Sequence, residues 1–354
     1  MENPLAGDLD GVLKATRGLW DDLRGQRLFI TGGTGFFGCW LLESLLWAND
    51  RLGLGATAVA LTRAPEVFRA KAPHLAQHPA IALHRGDVRT FDFPAGRFSH
   101  VIHAASDATV RGSHEDPMAV FDTIVDGTRR TLEFARSCGA DRLLFTSSGA
   151  VYGRQPHDLL HVPEEYAGAP DPTAPAQAYG EGKRAAEMLC AISSDRTALQ
   201  VTIARCFAFV GPYLPLDAHF AVGNFIRDAL SGGPIRITGD GTPYRSYLYA
   251  ADLAVWLWTI LLRGAPLRPY NVGSAEAVTI GELAHLVARS LDPPVPVDVA
   301  RRPVPGAPAE RYVPSVARAA TEIGLQPAVT LREALQKTVS WHARVREPLA
   351  AGRP

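Results

Sequence analysis

Tyr179 and Lys183 stand four residues apart in a stretch whose spacing predicts a helix, so they share one face. An unperturbed phenol, with a pKa of about 10, is a poor base at neutral pH. A nearby ammonium favours the phenolate and lowers that value. A phenolate can take the proton of a hydroxyl while a hydride leaves the same carbon. Ser148, at the carboxyl end of an expected strand, can hydrogen-bond the same oxygen. The trio is suited to interconverting an alcohol and a ketone. A surface tyrosine beside a solvated lysine has the same spacing, so the reading depends on a hydride acceptor being bound elsewhere in the chain.

The stretch Leu28-Phe29-Ile30-Thr31-Gly32-Gly33-Thr34-Gly35-Phe36-Phe37-Gly38 supplies that site. It reads as a strand, a glycine turn and the first turn of a helix. Gly32 lets the chain turn sharply, Gly35 lets backbone approach a pyrophosphate, and Gly38 lets the helix press on the sheet. The free N–H groups and positive dipole end of the helix then face the phosphates. Gly32, Thr34, Gly35, Phe36, Phe37 and Gly38 are the expected dinucleotide contacts. A second strand, Ala56 to Leu61, ends at Thr62-Arg63 with no acidic residue for an adenosine ribose. Arg63 is either a solvated loop residue or the partner of a 2′-phosphate, so NAD and NADP both stay open. Third and fourth strands, Ile81 to His84 and Val101 to Ala104, lead into Asp87-Val88 and into Ala105-Ser106. These residues, with Ala104, complete the expected cofactor contacts. Tyr179 and Lys183 would meet the nicotinamide end.

The elements that must position these groups follow a βαβ rhythm. Helices are expected over Asp8 to Leu23, Met118 to Cys138 and from Tyr179 onward, and strands over Arg142 to Thr146 and Val201 to Ala204. The alternation predicts an α/β fold, a Rossmann doubly wound parallel sheet with helices on both faces. Past Pro212, Pro/Gly-rich loops separate helices (Asn224 to Leu230, Leu253 to Leu262, Ile280 to Ser290, Leu331 to Arg344) and short strands (Ile235 to Thr238, Tyr270 to Val272). Asp292 to Pro308 reads as loop. The expected organisation is an N-terminal extension helix in 1–25, the dinucleotide domain in 26–212, and a smaller C-terminal α/β substrate lobe in 213–354, interleaved with the last strands of the sheet.

Composition narrows the field. The 354 residues are 47% apolar, which fits a globular chain. Lys+Arg 36 balance Asp+Glu 36, so electrostatic capture of nucleic acid is not expected. Cys39, Cys138, Cys190 and Cys206 form no C-x-x-C pair, so neither a metal nor a disulfide frame is suggested. No signal peptide or bilayer-length apolar run appears, and a cytoplasmic, non-membrane setting is expected.

These motifs together resemble the extended short-chain dehydrogenase/reductases of the nucleotide-sugar epimerase/dehydratase kind, over nearly the whole chain past Arg27. Gly32, Gly35 and Gly38 match G-x-x-G-x-x-G. Ser147-Ser148-Gly149-Ala150-Val151-Tyr152-Gly153 resembles SS-x-x-V-Y-G, and Tyr179-Gly180-x-x-Lys183 resembles Y-G-x-S-K with Gly182 for serine. The resemblance implies that Ser148, Tyr179 and Lys183 are catalytic. It also implies that Asn224 contacts a substrate pyrophosphate, Arg245 a phosphate and Arg311 the nucleotide, the substrate being a nucleoside-diphosphate sugar. The helices Met118 to Cys138 and Lys183 to Ile192 resemble a pair that makes a four-helix homodimer interface. Three further places depart from the pattern. Gly149-Ala150 stand where dehydratases and decarboxylases carry an acid, Ile124 replaces an asparagine, and Ala208 replaces another. Glu164, Glu165, His157 and His161, in the loop before Tyr179, could supply another acid, but read first as solvated. The missing acid favours an epimerase that oxidises C4 and returns the same hydride. A dehydratase, decarboxylase or 4-keto reductase remains an alternative, as does an inactive nucleotide-binding regulator on the same scaffold.

Overall fold

The computed structural model describes residues 3–105, 116–218 and 220–350. Ser106, an expected cofactor contact, lies outside them. The strands β1 (Arg27–Thr31), β2 (Thr57–Thr62), β3 (Ile81–Arg85), β4 (His100–His103), β5 (Arg142–Ser148) and β6 (Gln200–Cys206) join Pro269–Val272 in a seven-stranded sheet. Its order is Pro269–Val272, β6, β5, β4, β1, β2, β3, and every neighbouring pair is parallel. The strand order reverses between β1 and β4, and a crevice opens there beyond the carboxyl ends. This is the Rossmann-like sheet that the βαβ rhythm predicts.

Alternation along β1 explains the layering. Leu28 and Ile30 point into one core, with Trp40, Leu41 and Leu45 of α2 (Phe36–Leu52) and Trp256 and Leu257 of the helix Ala250–Arg263. Phe29 points into the other, with Ile124 and Phe134 of Pro117–Ser137 and Ala186 and Cys190 of Ala178–Asp195. Period-two strands between period-3.6 helices give a three-layer sandwich. The apolar run at Leu253 is a helix buried nearly all round, which is why it shows no polar face.

Several local readings change. The N-terminal helix α1 is shorter, Ala6–Ala15, and a 3-10 turn, Trp20–Leu23, follows it. Trp20 Nε1 donates to Thr16 Oγ1 at 2.8 Å, which fixes the bend between them. Two further helices, α3 (Pro65–Lys71) and α4 (Pro73–Ala76), each begin on a proline, whose missing N–H costs nothing in a first turn. The proline-rich stretch after Asp292 is not all loop: Val297–Val299 pairs in parallel with Ile235–Ile237. A proline keeps its carbonyl, and Pro296 O accepts from Ile235 N at 2.9 Å. We number the remaining helices α5 (Pro117–Ser137), α6 (Ala178–Asp195), α7 (Ala221–Leu230), α8 (Ala250–Arg263), α9 (Ile280–Ala288), α10 (Ala317–Ile323) and α11 (Leu331–Ala350).

Candidate active site

The turn after β1 is built around its glycines. Gly32 has φ +68°, and a Cβ there would stand 2.5 Å from Ala104 O. Gly38 presses on the turn rather than on the sheet, since its Cβ would come 2.3 Å from Gly33 O. Beyond this turn lies a cleft of about 360 Å³. Of the expected cofactor contacts, Gly32, Thr34, Gly35, Arg63, Asp87, Val88 and Ala105 line it. Phe36, Phe37, Gly38, Ala104, Tyr179 and Lys183 do not. Phe36 and Phe37 pack against the core, the Phe37 ring 5.1 Å from Phe209. The Ala104 backbone lies close under Gly32, and Tyr179 and Lys183 lie on α6, Lys183 reaching the end of β5.

The sequence reading missed Lys71, which also lines this cleft and donates from Nζ to Thr34 O at 3.1 Å. Its signal is the short helix that opens at Pro65 just after Arg63. Asp87 is bound by Arg89, Nε to Oδ1 2.9 Å, and that guanidinium holds its carboxyl below the usual range.

At the end of β5, Ser148 is buried and its Oγ accepts from Ala150 N at 3.1 Å, capping the 3-10 turn Gly149–Tyr152. Helix α6 crosses behind it. Lys183 is 2% exposed; its Nζ donates to Thr146 O at 2.7 Å and lies 5.9 Å from the Tyr179 ring centre. Burial lowers the Lys183 pKa to about 8. At neutral pH the lysine still meets Tyr179 as an ammonium, but as a stronger acid than an exposed lysine. Tyr312 also reaches this point: a Cβ on Gly149 would stand 2.7 Å from its hydroxyl. Its strand, Arg311–Tyr312, is too short for the sequence to reveal.

A partly buried ion pair backs the trio. Arg205 Nη2 meets Glu187 Oε2 at 2.7 Å, and Ser147 Oγ donates to Glu187 Oε1 at 2.5 Å. The pair ties α6 to β5 and β6. Glu164, expected to be solvated, is buried, and its Oε1 accepts from Asn271 N at 2.8 Å. Glu165 pairs with Arg318, while His157 and His161 bond the carbonyls of Ala309 and Ala275. None of these four is an idle acid or base.

The expected substrate residues lie on different elements. Asn224 lies on α7, its Oδ1 accepting from Arg227 Nη1 at 3.1 Å. Arg245 and Arg311 lie on adjacent strands, Tyr244–Arg245 and Arg311–Tyr312, paired in parallel. Alternation puts Arg245 with Tyr312 on one face and Arg311 with Tyr244 on the other. The Arg311 guanidinium sits 4.1 Å from the Tyr244 ring centre. The structure therefore does not bring Arg311 to the side that Arg245 shares with Tyr312. No metal-binding group of His, Cys, Asp or Glu occurs among the described residues, and no helix among them is long and apolar enough to cross a membrane.

Known proteins carry the same organisation. UDP-glucuronic acid decarboxylase 3 of Arabidopsis thaliana is 31% identical over 311 residues, 88% of this chain and 87% of that protein. The UDP-glucose 4-epimerase of Thermus thermophilus, solved with NAD, superposes with a TM-score of 0.73 at 27% identity, covering 90% of this chain and 99% of that one. An epimerase of Methanothermobacter thermautotrophicus shares the fold with a TM-score of 0.80 at 22% identity, over 96% and 98% of the two chains. The pattern of the NAD-dependent epimerase/dehydratase family matches residues 28–273, from β1 to the last strand of the sheet, and the chain belongs to that family.

Proposed function

We propose that the protein is a nucleoside-diphosphate-sugar epimerase acting through a transient 4-keto sugar. The observation that carries this reading is the reaction centre itself. Lys183 lies 5.9 Å from the Tyr179 ring centre and is tied to the Thr146 carbonyl, two residues before Ser148, while the residue after Ser148 is a glycine with no room for an acid. When bound, the nicotinamide supplies and removes the hydride. Tyr179 takes the C4 hydroxyl proton and later returns it. Lys183 holds a proton beside Tyr179 and is itself held by the Thr146 carbonyl. Ser148 hydrogen-bonds the oxygen as it becomes a carbonyl. Arg245 and Asn224 bind the diphosphate.

Incubation with UDP-, dTDP-, GDP- and CDP-hexoses and hexuronic acids should give a C4 isomer with no net change in cofactor. A 4-keto-6-deoxy product, or carbon dioxide with a pentose, would overturn the epimerase reading. The second of these is the natural rival, since the Arabidopsis relative is a UDP-glucuronic acid decarboxylase.

The cleft supports NADP as the cofactor. Arg63 and Lys71 line it, and its carboxylate, Asp87, is engaged by Arg89. Arg63→Ala should weaken NADPH binding about tenfold, the worth of one charge-assisted contact, and leave NADH nearly unchanged, as read by nucleotide fluorescence titration. Equal losses for the two would sink this assignment. We also propose a homodimer through α5 and α6, whose surfaces expose Met118 (68%), Met188 (62%) and Ile192 (45%). Light scattering at micromolar concentration should give twice the chain mass, and a monomer would refute it.

A further inference from the structure

His103 ends β4, where the order of the sheet reverses, and its imidazole is buried among threonines. Thr31 Oγ1, at the end of β1, lies 2.7 Å from Nδ1, and Thr128 Oγ1, on α5, lies 3.0 Å from Nε2. Thr131 Oγ1 comes within 3.5 Å of Nδ1, but its proton goes to Gly127 O at 2.7 Å.

The bonds beyond the ring decide which nitrogen carries the proton. Thr128 Oγ1 stands 2.7 Å from Ile124 O, which can only accept, so the threonine's proton goes there. Its lone pairs then accept from the ring, which makes Nε2 the donor. Nδ1 is left as an acceptor, and Thr31 Oγ1 donates to it. The Thr31 oxygen in turn accepts from Ala105 N at 3.2 Å. Every bond from the Ala105 N–H through Thr31, His103 and Thr128 to Ile124 O thus has one proton. The opposite tautomer, or the imidazolium, would aim two donors at Thr31 Oγ1 and take away the acceptor for its own proton. Burial pushes the ring pKa down to about 3, so it stays neutral. The imidazole stacks on Phe145, centres 5.6 Å apart, and Lys183 Nζ lies 4.9 Å from the centre of the same ring. Lys183 is the charged group that bears on His103, and a proton on the imidazole would set a second cation near it.

What this chain holds is the backbone under the glycine turn. Thr31 meets the end of β4 twice, its carbonyl accepting from Ala104 N and its hydroxyl from Ala105 N, both at 3.2 Å. Ala104 lies so close beneath Gly32 that a Cβ there would stand 2.5 Å from its carbonyl oxygen. Gly32 and Ala105 both line the cleft.

We propose that His103 is a positioning residue for the dinucleotide: as the neutral Nε2–H tautomer it orients the Thr31 hydroxyl, which seats the end of β4 under the glycine turn. The proposal rests on the reading of that cleft as the dinucleotide site. It adds a buried residue, outside the lining of the cleft, that acts through Thr31.

Proton–nitrogen correlation spectra of the histidine rings should show His103 protonated at Nε2, with shifts constant from about pH 5 to about pH 8. A ring protonated at Nδ1, or one that titrates in this range, would overturn the proposal. Asparagine offers an acceptor near the place of Nδ1, and glutamine a donor near that of Nε2. His103→Gln should therefore weaken NADPH and NADH alike, about tenfold in fluorescence titration, and His103→Asn less than about threefold. In a Thr31→Val background His103→Gln should cost less than about twofold, because His103 acts through that hydroxyl. Equal losses in the two His103 variants, or the full loss again without the Thr31 hydroxyl, would count against it decisively. If the His103 variants do not fold, Thr31→Val alone decides: about tenfold weaker binding supports the proposal, and unchanged affinity ends it. A wild-type protein that binds neither dinucleotide would refute the reading of the cleft instead, and His103 is then judged on its spectra.

Discussion

Lys183→Met should abolish turnover and at the same time make the protein more stable. The ammonium is buried at the foot of α6, with a carbonyl as its hydrogen-bond acceptor and its pKa pulled down to about 8. Desolvation is the main cause; Cys206 and Glu187 only partly offset it. Holding such a charge costs on the order of 3 kcal/mol against the unfolded chain. The sign follows from proton counting. Below about pH 8 both states carry the proton and the full cost is present. Between there and the ordinary lysine value of 10.5 the unfolded chain keeps a proton that the folded one has lost, so wild-type stability rises with pH. Methionine fills similar space with no charge, so its advantage should be greatest below pH 8 and fade toward pH 10.5. Thermal melts of the cofactor-free proteins at several pH values would read this as a gain of a few degrees at neutral pH. A lower melting temperature at pH 7 would show that the Thr146 contact outweighs the burial cost. Activity would be lost in either case, because Tyr179 would have no proton-holding neighbour.

Removing the partly buried cation at Arg205 should have the opposite effect. Arg205→Ala leaves Glu187, whose side chain is 15% exposed, with the Ser147 hydroxyl but no counter-charge. Breaking a pair of this kind costs about 3–5 kcal/mol, most of it the penalty for the stranded charge. The same guanidinium donates from Nη1 to the Tyr152 hydroxyl at 3.0 Å, and that hydroxyl donates to Asn271 Oδ1 at 2.7 Å. The damage should therefore spread across β6 to the strand Pro269–Val272. Denaturant unfolding would report the loss, and a change under about 1 kcal/mol would refute it. The double variant Glu187→Leu with Arg205→Met should recover most of the stability, because two apolar side chains remove the unpaired charge altogether. Glu187 stands one turn beyond Lys183, so Arg205→Ala should also lower kcat by loosening the helix that carries Tyr179.

Much of this site is legible because its signals are local. Gly32 announces its positive φ, Tyr179 and Lys183 share a helical face whatever else the chain does, and Ser148 closes a strand whose apolar run is plain. The parts that escape depend on partners distant in sequence. Nothing near Lys183 shows that it will be fully buried. The strands Tyr244–Arg245 and Arg311–Tyr312 are two residues each, too short for periodicity to reveal, and only their pairing shows that Arg311 turns to the Tyr244 side. Glu164 reads as a loop acid in a proline-rich segment, yet an Asn271 amide claims it. Lys71 is hidden because the helix that carries it, Pro65–Lys71, is too short for its periodicity to stand out.

The outermost place in the large sheet, beside β6, is taken by Pro269–Val272, a strand that leaves the ribosome long after its neighbour. Until it arrives, the backbone donors and acceptors along one side of β6 have no partner. A nascent chain stalled before that point presents an open strand to whatever is nearby, including another nascent copy. The order of synthesis thus sets a window of vulnerability that closes only when Asn271 and its neighbours seat.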